Sequence, residues 1–482
     1  MIKTIILAAG EGTRMKSGIS KVMHKILNRE LISYIIDAAK IDNSKTIIIA
    51  GKNKTLLEEK FGENIIVEQK IGDGIPYGTG YAVSCAKEYI GDDDDIVILN
   101  GDIPLIKNQT IKEFIRYHIE NNFSASILTT ELKDSNGYGR IVRDKDTHEF
   151  EKIVEEKDAN EKEKLIKEIN IGIYAFKGKD LKYALSKIKS DNKQNELYLT
   201  DCLSILKKEK KRVGAFLNED YKQFYGINNK SELERATRIL RRRINNKFML
   251  DGVIIDNIDM VNIDSRAKIG KDTVISGSVK ILGFCTIGEN CFIEGSSRIV
   301  NSTIEDNVKI DNSVIEDSFV GKNTDIGPYS HLRPKAHLAE NVHIGNFVEV
   351  KNSNVGKGTK AGHLAYVGDS DLGEDINIGC GVIFVNYDGK FKHRSIVKDG
   401  AFIGSNSNIV APVNIEKEAY IAAGSTITKD IGQGELSVER AKQVNISGYV
   451  EKKKKRDLEK LKEKKWHPAR IVAIWDIFKE EN

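Results

Sequence analysis

Aliphatic residues return at every sixth position through the second half of this 482-residue chain, at Ile263, Ile269, Ile275, Ile281, Ile287, Ile293 and Ile299. The period resumes at Ile326, Leu332, Leu338, Ile344 and Val350, and again at Ile403, Ile409, Ile415, Ile421 and Ile427. An α-helix repeats at about 3.6 residues and a half-buried strand at about 2, so neither sustains a six. With glycine following many of these residues (Ile269-Gly270, Ile287-Gly288, Ile344-Gly345), the pattern is that of a hexapeptide β-helix. Three hexapeptides close one triangular coil, and the inward aliphatics of successive coils stack into a column. From Gly252 to Asp430 there is room for roughly ten coils of ~4.8 Å each, a prism about 45–50 Å long.

The preceding residues alternate apolar runs with amphipathic stretches. Thr4–Ala9, Thr46–Ala50, Ile65–Glu68, Ile96–Leu99 and Ser124–Thr130 read as strands, Leu31–Lys40 and Thr110–Asn121 as helices. That alternation predicts a mostly parallel sheet covered by helices. Ser231 and Glu234 have capping-box spacing and open a helix with Leu233, Ala236, Leu240 and Ile244 on one face. The expected order is a Rossmann-like α/β domain (1–228), a linker helix (229–250), a left-handed parallel β-helix (251–440) and a basic amphipathic tail (441–482). In the tail, Ile471, Ile474, Trp475 and Phe478 follow Pro468 at helical spacing. A helix packed on this chain or a neighbouring subunit is the favoured reading; a membrane-surface helix is the alternative.

Composition narrows the function classes. Nine basic and four acidic residues between 451 and 465 account for the whole net charge of +4, so the folded body has no basic excess of the kind nucleic acid requires. No run reaches the ~18 apolar residues of a membrane span, and the apolar start is too short for a secretory signal. Five cysteines without metal-ligand spacing fit a reducing, cytoplasmic setting.

The first strand runs into Leu7-Ala8-Ala9-Gly10-Glu11-Gly12-Thr13-Arg14. Glycines after a buried strand leave backbone N–H groups free to face an anion. Neither the P-loop pattern nor the dinucleotide GxGxxG is present. Arg14 and Lys21 add positive charge, and Asn100-Gly101-Asp102 ends a strong strand, where open α/β sheets collect ligands and metal ions.

The ordered elements LAAGEGTRM, Lys21, GTG (Gly78–Gly80), NGD, YGR (Tyr138–Arg140), IVEEKD (Ile153–Asp158), EINIG (Glu168–Gly172), ELYLTD (Glu196–Asp201) and GINN (Gly226–Asn229) resemble the sugar-1-phosphate nucleotidyltransferases. They are similar in particular to the uridylyltransferase half of the bifunctional family that makes UDP-N-acetylglucosamine. The resemblance implies that Leu7, Ala8, Ala9 and Gly10 line the nucleotide site while Arg14 and Lys21 neutralise phosphates. Gln69, Gly78 and Thr79 would contact the uracil nucleotide, and Gly139, Glu155, Asn170 and Asn228 the sugar side. Asp102 and Asn228 would hold Mg²⁺. Three departures bear on uracil selectivity: Ser20 stands where the family has Pro, Asn100 where it has Tyr, and KIGDGIPY adds about four residues after Gln69.

Between His331 and Lys392 the hexapeptides carry residues that a coil does not need: Arg333, Glu349, Lys351, His363, Tyr366, Asn377 and Lys392. The period also breaks between Ile378 and Ile403, 25 residues apart, which predicts an excursion loop. These segments resemble the acetyltransferase half of the same family. The resemblance implies that His363 is the general base for the amine of glucosamine 1-phosphate, with Glu349 orienting it. Arg333, Lys351 and Lys392 would grip the phosphate; Tyr366, Asn377, Asn386 and Tyr387 would bind the sugar. Ser405, Ala423 and Arg440 would contact acetyl-CoA, with Cys380 a small packing residue beside it. It further implies a homotrimer with acetyl sites between subunits, and acetyl-CoA and UTP as co-substrates feeding cell-envelope polysaccharide. Two alternatives stay open: an acetyltransferase with an altered or inactive first site, and a nucleotidyltransferase for another base or sugar.

Overall fold

The computed structural model describes residues 1–41, 44–72, 75–190 and 196–463; Ile471, Ile474, Trp475 and Phe478 lie outside them. Seven strands form the main path of the N-terminal sheet, in the order Val213–Leu217, Ala125–Glu131, Glu168–Lys177, Asp95–Asn100, Ile2–Ala8, Lys45–Ala50 and Ile65–Glu68. All are parallel except Glu168–Lys177, which runs antiparallel to both neighbours. The apolar runs are nearly continuous because both faces are covered: Ile5, Ile6, Ile47, Ile48, Ile49 and Ile96–Leu99 are fully buried. The five expected strands are present with ends shifted by at most two residues. A hairpin, Arg140–Arg143 with Phe150–Val154, hangs from the sheet through Ile169 and Arg140.

Helix Lys230–Leu250 joins the halves, and its cap corrects the expectation. Asn229, not Ser231, is the N-cap: its Oδ1 accepts from the Glu232 N–H at 2.9 Å, while Glu232 accepts from the Asn228 N–H at 2.5 Å. The chain is already pinned at Ile227, whose N–H donates to the Asp102 carbonyl at 2.9 Å, so the helix starts early and Ser231 falls within its first turn. Ala236, Leu240, Ile244 and Phe248 pack into a core continuous with both halves. Buried Asn245 donates to the Ile258 and Val261 carbonyls at 2.9 and 2.8 Å, and Arg29 donates to Ser265 at 2.8 Å, fixing the first coil to the N-terminal half.

The β-helix consists of three parallel sheets of 11, 10 and 9 short strands. Ile263, Ile275, Ile281, Ile287, Ile293 and Ile299 are at most 2% exposed, forming the expected column. The phase slips are shortened coils: Arg298 pairs with Val314 and Thr303 with Phe319. Asn and Asp corners at positive φ, such as Asn301, Asn312 and Asp317, turn these coils tightly. The 25-residue coil is also real, since Asn377 pairs with Phe402 and Ile378 with Ile403. Its surplus forms a loop from Asn386 to Arg394, closed by a bridge between Tyr387 and Lys392. Asp388 accepts from the Lys390 and Phe391 N–H groups and pairs with His393 inside it.

Candidate active sites

The first site forms where the parallel strands end. The Lys21 ammonium donates to Asp102 Oδ2 at 2.6 Å and Asn228 Oδ1 at 2.9 Å, and Arg14 donates to the same Asn228 oxygen at 2.8 Å. Gly12, at φ 63°, arches over the Lys21 stem; a Cβ there would meet the lysine Cβ at 2.7 Å. A Cβ on Gly10 would meet nothing within 4 Å, so this part of the loop faces open space. Gly101 donates to the Leu7 carbonyl at 2.8 Å, which lays the Asp102 turn against the first strand.

Two chambers meet at Asn100 and Asp102. The smaller, about 230 Å³, is lined by Leu7, Ala8, Ala9, Gly10, Lys21, Gln69, Gly78 and Thr79. Gln69 is buried in this wall despite the insertion after it. The GTG and ELYLTD segments are zipped together: Gly80 donates to Leu197, Leu197 to Tyr77, and Leu199 to Thr79 Oγ1. The larger chamber, about 810 Å³, has Gly139, Glu155, Asn170 and Asn228 in its wall. Asn170 is oriented by the Gly172 N–H at 2.8 Å and the Tyr174 hydroxyl at 3.1 Å. The Glu155 carboxyl is raised above its ordinary range, first by loss of water and then by Asp158 and Asp201. Tyr138, Tyr225 and Arg235 also line this chamber, with Arg235 3.9 Å over the Tyr225 ring. Sequence reading assigned them no place in the site, although Tyr138 opens the quoted YGR motif and Tyr225 immediately precedes GINN. Ser20, in place of Pro, accepts a hydrogen bond from Asn53 at 3.1 Å.

On the β-helix the expected residues fall into two groups on neighbouring sheets. Arg333, Lys351 and Tyr366 belong to one sheet, where Leu332, Val350 and Val367 stack inward and the polar side chains face out. The excursion loop folds back onto them: Asn386 donates to the Tyr366 hydroxyl at 3.3 Å and to Asp369, while Lys392 reaches Lys351. The Lys351 ammonium is pushed below its ordinary range, chiefly by Lys392 and then by burial and Arg333. Three cations crowded in this way repel one another, and an anion between them would relieve that repulsion. Asp369, missed in the sequence, is the hinge of this wall because it accepts from both Asn352 and Asn386. Tyr387 is exposed and donates to the Gly389 carbonyl.

The second group lies across a corner. Ala361, Ile378, Ile403 and Ile421 are in register on the adjacent sheet. His363, Cys380, Ser405 and Ala423 each stand two residues further on, giving one column, and Asn377 lies on the same sheet. Arg440 donates to the Ala423 carbonyl at 2.8 Å and closes the column's end. Glu349 accepts from Arg333 at 2.8 Å, and among the described residues no hydrogen bond joins it to His363. Arg333 lies one coil away on the same sheet, whereas His363 ends a strand of the next.

An open glycine turn at the carboxyl edge of an α/β sheet, followed by a hexapeptide β-helix with its own polar constellation, defines a nucleotidyltransferase fused to a hexapeptide transferase. Residues 3–233 match the nucleotidyl transferase family and residues 266–301 the bacterial transferase hexapeptide family. The bifunctional protein GlmU of Clostridioides difficile (strain 630) is 50% identical over 94% of this chain and 98% of its own length. Those of Alkaliphilus oremlandii (strain OhILAs) and Clostridium beijerinckii are 47% and 44% identical, with 94% and 93% of this chain covered and 98% of each relative. The chain belongs to the bifunctional GlmU family, with the left-handed parallel β-helix of hexapeptide transferases as its second half. No described helix is long and apolar enough to cross a membrane.

Proposed function

We propose that this chain acetylates glucosamine 1-phosphate from acetyl-CoA and then transfers UMP from UTP to the product, giving UDP-N-acetylglucosamine and pyrophosphate. The observation that carries the reading is the presence of both polar constellations in one chain that aligns with its bifunctional relatives across both halves.

In the acetyl step, the amine of glucosamine 1-phosphate attacks the thioester carbonyl, His363 takes the amine proton, and coenzyme A leaves as its thiol after protonation. Arg333, Lys351 and Lys392 hold the sugar phosphate; Tyr366, Asn377, Asn386 and Tyr387 orient the sugar. Cys380, Ser405, Ala423 and Arg440 form the wall along which the coenzyme lies. In the nucleotidyl step, a phosphate oxygen of N-acetylglucosamine 1-phosphate attacks the α-phosphorus of UTP and the bond to pyrophosphate breaks. Arg14 and Lys21 neutralise the triphosphate. Gln69 and Thr79 read the base from the smaller chamber, while Gly139, Glu155 and Asn170 hold the sugar in the larger.

Asp102 and Asn228 fit a hard divalent cation, since their oxygens converge on one point that the Lys21 ammonium touches at 2.6 and 2.9 Å. Mg²⁺ bound there supplies charge neutralisation to the phosphates.

A homotrimer completes the second site in this reading. Tyr329, Phe347 and Leu364 are each 59% exposed, hold positive φ and stack along the corner beside His363. Bulky apolar side chains in that conformation form a ridge suited to a neighbouring subunit, whose Asn386–Lys392 loop would then face His363. The five free cysteines fit a cytoplasmic location.

The test is mass spectrometry of one reaction containing glucosamine 1-phosphate, acetyl-CoA, Mg²⁺ and equal UTP, ATP, GTP and dTTP. UDP-N-acetylglucosamine is the expected product. Accumulated N-acetylglucosamine 1-phosphate, or another nucleotide on it, would overturn the assignment of the first site.

A further inference from the structure

A cavity of about 600 Å³ lies at the amino end of the edge strand Val213–Leu217, remote from the strand ends that form the catalytic cleft. Lys207, Lys210, Lys211, Arg212 and Arg143 line it, with Glu149 as the acid in its wall. Lys207 and Lys210 have no acidic partner among the described residues. Lysines at the end of helix Thr200–Lys208 have an ordinary explanation, since cations complement a helix C-terminus. Arg212 likewise meets a helix end, donating at 2.7 Å to the Asn121 carbonyl that caps helix Asn108–Glu120, and it lies 5.0 Å over the Phe123 ring. Lys210 follows the cap of helix Thr200–Lys208 and holds φ 59° where glycine is the usual residue, so the cavity gathers cations from the ends of two helices. Tyr117 and Phe123, 5.2 Å apart, give the cavity an aromatic wall. Gly214 lets Phe123 lie against the strand, because a Cβ there would meet that ring at 2.7 Å.

The cavity is mechanically joined to the catalytic cleft. Arg143 forks onto Glu168 with two bonds of 2.7 Å and donates to the His148 carbonyl at 3.1 Å. Glu168 opens the strand that carries Asn170. His148, Glu149 and Phe150, beside the hairpin turn, line this cavity, while Gly139 and Glu155, at the hairpin's base, line the larger catalytic chamber.

We propose that this cavity is a second, regulatory site for a nucleoside polyphosphate. Its phosphates meet Lys207, Lys210 and Arg212, and its ring lies against Tyr117 and Phe123. Clustered cations in a concave site concentrate such an anion, and the volume suits a nucleotide. Occupation stiffens the hairpin and thereby alters the grip of Gly139, Glu155 and Asn170 on the sugar phosphate.

ATP is the probe, titrated by calorimetry into the full chain, into Lys207→Glu/Lys210→Glu and into Lys21→Ala. The proposal expects at least tenfold weaker ATP binding in the double variant and retained binding in Lys21→Ala. Hydrogen exchange across 140–154 should slow on ATP addition in the wild type and Lys21→Ala, but not in the double variant. Retained nucleotidyl transfer in the double variant without ATP verifies that its N-terminal half is folded. No ATP binding by the wild type, loss of binding in Lys21→Ala alone, or equal binding in the double variant would overturn the site. Unchanged hairpin exchange would overturn the regulation.

Discussion

The two halves of this molecule gather chemistry in opposite ways. In the α/β half, Arg14, Lys21, Asp102 and Asn228 come from distant parts of the sequence, yet they share one hydrogen-bond network within a single chain. Loops at the carboxyl edge of an open sheet converge, so a complete site needs no second subunit. In the β-helix, residues about one coil apart become neighbours: Arg333 meets Glu349, and Asn377 stands in register with Lys360 and Phe402. Side chains on a prism diverge, however. The cationic wall and the His363 column therefore occupy different sheets, and in the proposed reading each awaits a neighbouring subunit. A solenoid orders residues well along its axis and poorly around it.

The contrast breaks most visibly if the activities are not separable. His363→Ala should lower acetyl transfer by ~10²–10⁴-fold and leave nucleotidyl transfer unchanged, measured on the same preparation. Asp102→Ala should do the reverse, with loss on the order of 10²-fold or more. A folded variant that loses both activities would break the separation.

Acid should also distinguish the halves. His118 is buried in the N-terminal half and held neutral to about pH 4 by loss of water, despite Asp95 at 3.7 Å. The unfolded chain takes up that proton below about 6.5. The contribution to stability is therefore complete above 6.5 and declines as pH falls towards 4, by on the order of 2–3 kcal/mol. Chemical denaturation at stepwise pH should show the N-terminal half weakening first, and His118→Gln should flatten the slope.

A smaller effect is expected where the halves join. Asn245→Ala removes two bonds to buried carbonyls and should cost about 1–3 kcal/mol in urea unfolding, without changing either site's chemistry. An unaltered midpoint would show that the junction is held otherwise. Least in size is an alkaline effect on the acetyl site. Because Lys392 and Arg333 push Lys351 below the usual lysine range, it loses its proton earlier as pH rises. The KM for glucosamine 1-phosphate should climb at alkaline pH, with a weaker climb in Lys351→Met.

Much of this was legible in the chain because periodicity and motif order are local records. The six-residue step announced the column from Ile263 to Ile299, and the gap between Ile378 and Ile403 announced the loop. Less legible were choices among competing partners. Glu349 meets Arg333 one coil away on its own sheet, a pairing that no motif announces. Ser231 matched a capping pattern, but anchoring of Ile227 to Asp102 moved the cap to Asn229. Asp369 carries no motif of its own, and only the returning loop reveals that two amides converge on it. Each is settled by tertiary geometry that single-position patterns do not encode.

The central claim, one site complete within a chain and the other assembled between chains, is tested most directly by subunit mixing. His363→Ala and Lys392→Ala chains would be co-expressed and purified together, in parallel with Lys21→Ala and Asp102→Ala chains. Random pairing predicts recovery of about a quarter of the acetyl-transfer sites in the first mixture and no recovery of nucleotidyl transfer in the second. Silent acetyl transfer in mixed oligomers, or restored nucleotidyl transfer, would contradict the account.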